Sequence, residues 1–392
     1  MKKIHKNNER DYYLSVEEYT TLDSSEKTEW IPLAKKYERI PIWCIVALSF
    51  GAICGVLYFI FCISPDFADF FNLYISGFIR MILAKITGVL PFSIAEACII
   101  LIPVFLFLII RHIWKYRCNT GKSTLVTMLC ILSVVSIFLS QFVICFSAGY
   151  RGRELDEKLG IEAKEVSKQE LYDSAVYLVG EINALVPQIK YGEDHLSIMP
   201  YSLATMNDKL IDAYDSFSEK NDFIWSFDSH LKPVLLSEWL SYMHITGVYT
   251  FVTGEANINI AFPDYTTPST AAHELSHQRG IAREDEANFL AFLVCIGSDD
   301  AYIRYSAYVN LYEYVAAALA SADYSLYQRA VATLPSSVIG EQIAYSAFFE
   351  KYRDSAASEV SETVNNTFLV IHGTEGTKSY GMVVDLCVAY YK

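Results

Sequence analysis

No Cys-x-x-Cys pair occurs anywhere in the 392 residues, so a cysteine-built zinc site has no sequence support. Only two of the nine cysteines, Cys295 and Cys387, lie beyond residue 150. They could close one bridge, but two isolated thiols make no disulfide framework. The other seven (Cys44, Cys54, Cys62, Cys98, Cys118, Cys130 and Cys145) sit in or beside apolar runs and read as small packing groups. Basic charge is scarce in the second half. Residues 148–392 hold 17 Lys+Arg against 34 Asp+Glu, a net of −17, whereas residues 1–147 hold 14 against 11, a net of +3. An acidic second half lacks the phosphate-neutralising cations that nucleic-acid binding needs, and its simplest meaning is a solvated surface. No internal repeat is evident. The first apolar run does not read as a cleavable signal peptide: it starts about forty residues in and carries no clear small-residue cleavage site.

What is abundant is apolar sequence, 53% of the chain with a mean hydropathy of +0.24, and nearly all of the excess lies before Tyr150. Three runs, at residues 42–63, 92–113 and 124–148, reach the about 20 residues a helix needs to cross a bilayer. The second has Glu96 near its start, read as interfacial, and Pro103 inside it. Lys35, Lys36 and Arg39 precede the first run, and Arg111, Lys115, Arg117 and Lys122 separate the second from the third. The positive-inside rule then puts the N-terminal tail and that connection in the cytoplasm and residues 149–392 outside the cell membrane. Residues 66–90 place Phe67, Phe70, Phe71, Tyr74, Phe78, Met81 and Ile82 at helical spacing, which predicts an interfacial helix or a re-entrant hairpin. Residues 1–40 show no strong period and predict a mobile arm.

Beyond Tyr150 the pattern predicts one mainly helical domain. Leu171, Ala175, Leu178, Val179, Ile182 and Leu185 share a helix face, and helices are also expected over 235–245, 302–320 and 345–360. Val248, Tyr249, Phe251 and Val252, followed by the alternation of 256–261, predict a small β element.

Residues 267–280 read Thr-Pro-Ser-Thr-Ala-Ala-His-Glu-Leu-Ser-His-Gln-Arg-Gly. Thr267 and Pro268 suit a helix start, and Gly280 a left-handed stop. His273 and His277, four apart, lie one above the other on one face and can hold one Zn²⁺. Glu274, beside the first of them, can take a proton from the attacking water and deliver it to a leaving amine. A third ligand must come from elsewhere. Glu284, Asp285 and Glu286 open the next apolar helix, where a turn at Gly280 swings them back toward the imidazoles. Glu284 is the first choice, Asp285 and Glu286 the fallbacks. For the ones that bind no metal, the helix dipole explains the charge.

His273-Glu274-Leu275-Ser276-His277 resembles the zincin signature, and Glu284-Asp285-Glu286-Ala287-Asn288 resembles the gluzincin Glu-x-x-Ala-Asn/Asp motif, whose first Glu is the third zinc ligand. Metzincins also place a glycine three residues after the second His, but then use His or Asp where this chain has Arg283. With Thr-Gly-Glu-Ala-Asn-Ile-Asn at 253–259 and Ser-Tyr-Gly at 379–381, the chain resembles the bacterial family called domain of unknown function 3810. The resemblance implies a zincin-like metallopeptidase domain. By analogy residues 256–261 form the strand that holds substrate by β-addition, and Tyr380, Tyr249 or His244 stabilises the oxyanion, Tyr380 being preferred. His230, His195 and His372 read as ordinary surface histidines.

The expected fold is mainly α with a small β element. A cytoplasmic tail (residues 1–40) precedes three transmembrane helices (41–148) and an extracytoplasmic zincin-like domain (149–392). The expected activity is zinc-dependent hydrolysis of a peptide or protein substrate near membrane lipid or the cell wall. The alternative is a membrane sensor or scaffold that binds metal or peptide without catalysis.

Overall fold

A computed structural model describes residues 2–3, 13–14, 39–116, 121–164 and 166–392, so most of the expected N-terminal arm, and Cys118, lie outside the described residues. Among the described residues four helices, not three, are long and apolar enough to cross a membrane: α1 (Ile42–Ile63), α2 (Pro65–Gly88), α3 (Ile94–Tyr116) and α4 (Gly121–Cys145). The addition is α2, which the sequence suggested as an interfacial or re-entrant segment. Ser64 accepts a hydrogen bond from the Phe67 N–H and Pro65 occupies the first turn, so a helix starts at once after α1. A π-helical stretch, Phe71–Ser76, carries it onward without a break. Asp66, Asp69 and Lys85 fall near its ends, and Arg80 is fully buried, so none of them interrupts the helix.

The chain divides into two compact units, one of residues 1–57 and 98–141, the other of residues 58–97 and 142–392. In the first, α1 and α4 meet through small polar groups. The Ser136 hydroxyl donates to the Ala47 carbonyl at 3.1 Å, and the Cys44 and Cys130 sulfurs lie 3.5 Å apart. Small and hydroxylated side chains are what close helix packing in lipid favours.

The second unit is mainly helical. α5 (Lys168–Leu185) opens with a capping box between Ser167 and Glu170, and buries the six apolar residues expected from its period. It packs against α10 (Ala301–Ala322), the long central helix of the core, and α6 (Leu203–Ser218) adds Met206, Leu210 and Tyr214. A three-stranded sheet follows: β1 (Lys232–Pro233) pairs parallel with β3 (Glu255–Ile258), which pairs antiparallel with β2 (Gly247–Thr250). Between β1 and β2 lies the short α7 (Ser237–Tyr242). The core then takes α8 (Thr267–Gln278) and α9 (Glu284–Ile296). After α10 come α11 (Tyr324–Val331), α12 (Ser336–Glu350), α13 (Ala356–Ile371) and α14 (Val383–Tyr390). The single helix expected over 345–360 is thus two, parted around Ser355, which caps the second by accepting from the Ala357 N–H. None of the eight described cysteines forms a disulfide, Cys295 and Cys387 included.

Candidate metal centre

α8 starts one residue earlier than the sequence suggested, with Thr266 at the N-cap. Its end is sharper. The Gly280 N–H donates to the His277 carbonyl and the Ile281 N–H to the Ser276 carbonyl, the paired bonds of a Schellman turn. Gly280 has φ +103°, and a Cβ there would meet the Arg80 guanidinium at 2.3 Å, so only glycine fits. This turn does two things. It sends the chain back so that α9 begins at Glu284 beside α8, and it brings the Ile281 carbonyl 2.7 Å from His277 Nδ1.

That last bond sets the chemistry. With its Nδ1–H donated to Ile281, neutral His277 presents a bare Nε2. The His273 Nε2 lies 2.9 Å from it, and one Glu284 oxygen lies 3.3 Å from His277 Nε2 and 3.1 Å from His273 Nε2. In a tetrahedral zinc site with bonds of about 2.0–2.1 Å, ligand atoms are about 3.3 Å apart. These three donors therefore fit one zinc ion, and they are the one such group among the described residues. Two acceptors face each other here unless a proton or a cation intervenes. Burial alone would lower the His277 pKa, but Glu284, Glu274 and the Ile281 carbonyl together lift it to about 9. Glu284, although only partly exposed and so penalised for its charge, is held well below the usual carboxylate range by the two imidazoles. Its neighbours do other work. Glu286 accepts from the Leu155 N–H and pairs with Arg283, and burial raises its pKa to about 7. Asp285 is absent from the cluster, and burial raises its pKa.

Glu274 is buried, which pushes its pKa up, and the Tyr249 backbone N–H of β2 donates to it. Gly247, on the same strand, lets them meet: a Cβ there would stand 2.6 Å from Glu274 Oε1. Gly247→Ala is expected to displace this carboxylate and to cost about 1–3 kcal/mol of stability, measured by scanning calorimetry. The outer strand next to Glu274 is thus β2. Residues 256–261, read from sequence as the strand that binds substrate, contain most of β3, which is the middle strand and buried throughout. Its backbone is already paired on both sides, whereas β2 is an edge strand whose Tyr249 N–H is given to Glu274.

The 253–259 motif proves to be scaffold. Glu255 accepts from the Ile94 and Ala95 N–H groups at the start of α3, and Asn257 and Asn259 donate to the Val248 and Ile245 carbonyls. Gln278 donates to the Gly254 carbonyl at 2.7 Å. Arg279, buried, donates to Phe227 O and lies over the Tyr214 ring, and burial lowers its pKa to about 10. Of the oxyanion candidates, His244 bonds the Tyr352 carbonyl and packs on Phe349. The Tyr249 hydroxyl is buried, with Arg80 and Cys145 acting on it. Tyr380 lies in the 3₁₀ turn Gly376–Met382, but its side chain falls outside the described residues. His195 and His230 are exposed, whereas His372 packs on Phe142, Tyr150 and Phe368 and has its pKa lowered by burial.

Sequence reasoning missed Arg80 and Asn72. All five N–H groups of Arg80 are used: on the Gln278, Arg279, Cys145 and Asn72 carbonyls and on Asn72 Oδ1. Asn72 donates to the Gly280 carbonyl at 2.9 Å. A full cation thus sits at the negative end of α8 and fixes its turn. A lone arginine in an apolar helix was the available signal. Phe146, one residue past α4, places its ring 5.9 Å from that of His277, so the cluster lies close to the end of an apolar helix.

Among the described residues, the fold and site define a mainly helical chain with four apolar helices and one partly buried two-histidine, one-carboxylate cluster. The model of the family Protein of unknown function (DUF3810) matches residues 71–388, and the chain belongs to that family. No curated protein and no solved structure matches.

Proposed function

We propose that the chain is a membrane-anchored, zinc-dependent peptidase of zincin type, with His273, His277 and Glu284 as metal ligands and Glu274 as general base. The observation that carries this reading is the convergence of three acceptor atoms from two helices, with the Nδ1–H of His277 already spent on Ile281. Zinc, when bound there, polarises a scissile carbonyl and lowers the pKa of water. Glu274 takes a proton from the attacking water as its oxygen bonds to the carbonyl carbon. It then gives that proton to the amine nitrogen as the C–N bond breaks. The raised pKa of Glu274 suits the return of that proton. An extended peptide lies along the edge strand β2, which brings its backbone past Glu274. Tyr380 is the candidate oxyanion stabiliser on sequence grounds. A chelator should abolish peptide hydrolysis by the full-length chain, and added zinc should restore it. Hydrolysis indifferent to chelation contradicts the proposal.

A second reading, a metal- or peptide-binding sensor without catalysis, draws on how covered the ligands are: the His273 and Glu284 side chains are only 14% and 12% exposed. The Glu274→Gln result separates the two.

The proposed orientation is extracytoplasmic, which the Lys and Arg of the tail and of the connection between α3 and α4 support. It requires an odd number of crossings, and α2 is the candidate whose buried Arg80 ties it to α8. A reporter active only outside the cytoplasm, fused after Lys392, should be active. An inactive reporter with normal expression contradicts this orientation.

A further inference from the structure

Two loops of the second unit carry large apolar side chains outward, and buried charges tie both to the start of α3. The first is the turn between α2 and α3, where Val89 is 81% and Phe92 45% exposed. The second runs from Leu235 into α7, where Leu235 is 78% and Trp239 70% exposed. Glu96, in the first turn of α3, accepts from the Leu235 N–H at 3.0 Å and the Leu236 N–H at 2.7 Å. Lys232, buried one strand earlier, donates to the Thr87 and Leu90 carbonyls at the end of α2. Glu255 binds the Ile94 and Ala95 N–H groups.

Each tie is a buried charge on backbone groups at a helix end or loop, where it is stabilised by charge-assisted hydrogen bonds and, at a terminus, by the helix dipole. Such ties hold the loops rigid. Rigid loops that expose Leu and Trp to water bear an unfavourable hydration term that folding has not removed. Yet these loops are fastened to the first turn of a helix that continues as an apolar run long enough to cross a bilayer. Wherever α3 enters lipid, they sit at its mouth. Trp and aliphatic side chains at that level match the interfacial region, where Trp is enriched. The rim is polar: Glu238, beside Trp239, pairs with Lys351.

We infer that the 88–93 turn and the 235–239 segment together form an interfacial anchor seated in the headgroup–acyl boundary of the lipid bilayer. This does not depend on the metal reading. The anchor is a second attachment besides the spanning helices.

The test uses the full-length chain in phosphatidylcholine–phosphatidylglycerol vesicles, with Trp239 as the single tryptophan after Trp30, Trp43, Trp114 and Trp225→Phe. Lipids brominated on the acyl chain near the headgroup should quench Trp239 by at least about half, and aqueous iodide should quench it little. A control that moves the one tryptophan to the exposed Tyr177 on α5 should show the reverse pattern. Should the fourfold background not fold, the loss of bromolipid quenching in Trp239→Phe relative to the native chain reads the same quantity. Trp239 quenched by iodide and indifferent to brominated lipid overturns the inference. Trp239 shielded from both quenchers overturns it too, and means a protein partner covers the patch.

Discussion

Glu274→Gln is expected to lower peptide hydrolysis by about 10²–10⁴-fold while zinc stays bound at one per chain. Gln keeps the size of the side chain and can still accept from the Tyr249 N–H, so β2 and α8 should stay in register. What it loses is the ability to take a proton. Glu274 is not one of the three converging ligands, so the metal site should be preserved. Burial raises the pKa of this carboxyl, and the two imidazoles pull it back down. A carboxyl raised by burial is better suited to returning a proton than an exposed one. Zinc content and kcat are read on the same preparation. A variant that keeps full activity removes the general-base role. One that loses zinc with activity shows instead that Glu274 is structural.

The second large effect is expected far from the chemistry, in α2. Arg80→Leu removes a buried cation and leaves five acceptor positions without their donors, four of them backbone carbonyls. An unsatisfied buried polar group costs about 1–3 kcal/mol, and removing one partner from a buried ionic arrangement about 3–5 kcal/mol. Water entry and local shifts will recover part of this, so a net loss of about 3–5 kcal/mol is expected. The damage should centre on the turn at Gln278–Gly280, because that turn positions both Ile281 O against His277 and Glu284 against the imidazoles. Zinc affinity should therefore fall along with thermal stability. Arg80→Lys should recover only part, since an ammonium has three donors and no planar fork. Unfolding measured by scanning calorimetry in detergent, beside a zinc titration, checks both. Wild-type zinc affinity in Arg80→Leu rules out the positioning role.

Local signals in the sequence were enough for much of this site. Two histidines one turn apart, a glycine just past the helix and an acidic start to the next helix together specify a helix, a reversal and a returning carboxylate. The α5 face was equally legible, because its six apolar positions obey one period. Long-range pairing was not. The alternation over 256–261 is a strand signal, but a four-residue strand does not reveal how many neighbours it has, and β1 joins β3 from more than twenty residues upstream. Arg80 was hidden for a related reason. Apart from Asn72 on its own helix, its partners lie 65 and about 200 residues away, and a single charge in an apolar segment reads as a loop or an interface until those carbonyls are seen.

Zinc analysis of the purified full-length chain, combined with X-ray absorption at the zinc edge, addresses the metal assignment most directly. One zinc per chain is expected, with four nitrogen or oxygen neighbours at about 2.0–2.1 Å, two of them imidazoles, and loss of the metal in His277→Ala. A well-folded native chain that takes up no stoichiometric zinc, or binds it unchanged in His277→Ala, contradicts the assignment.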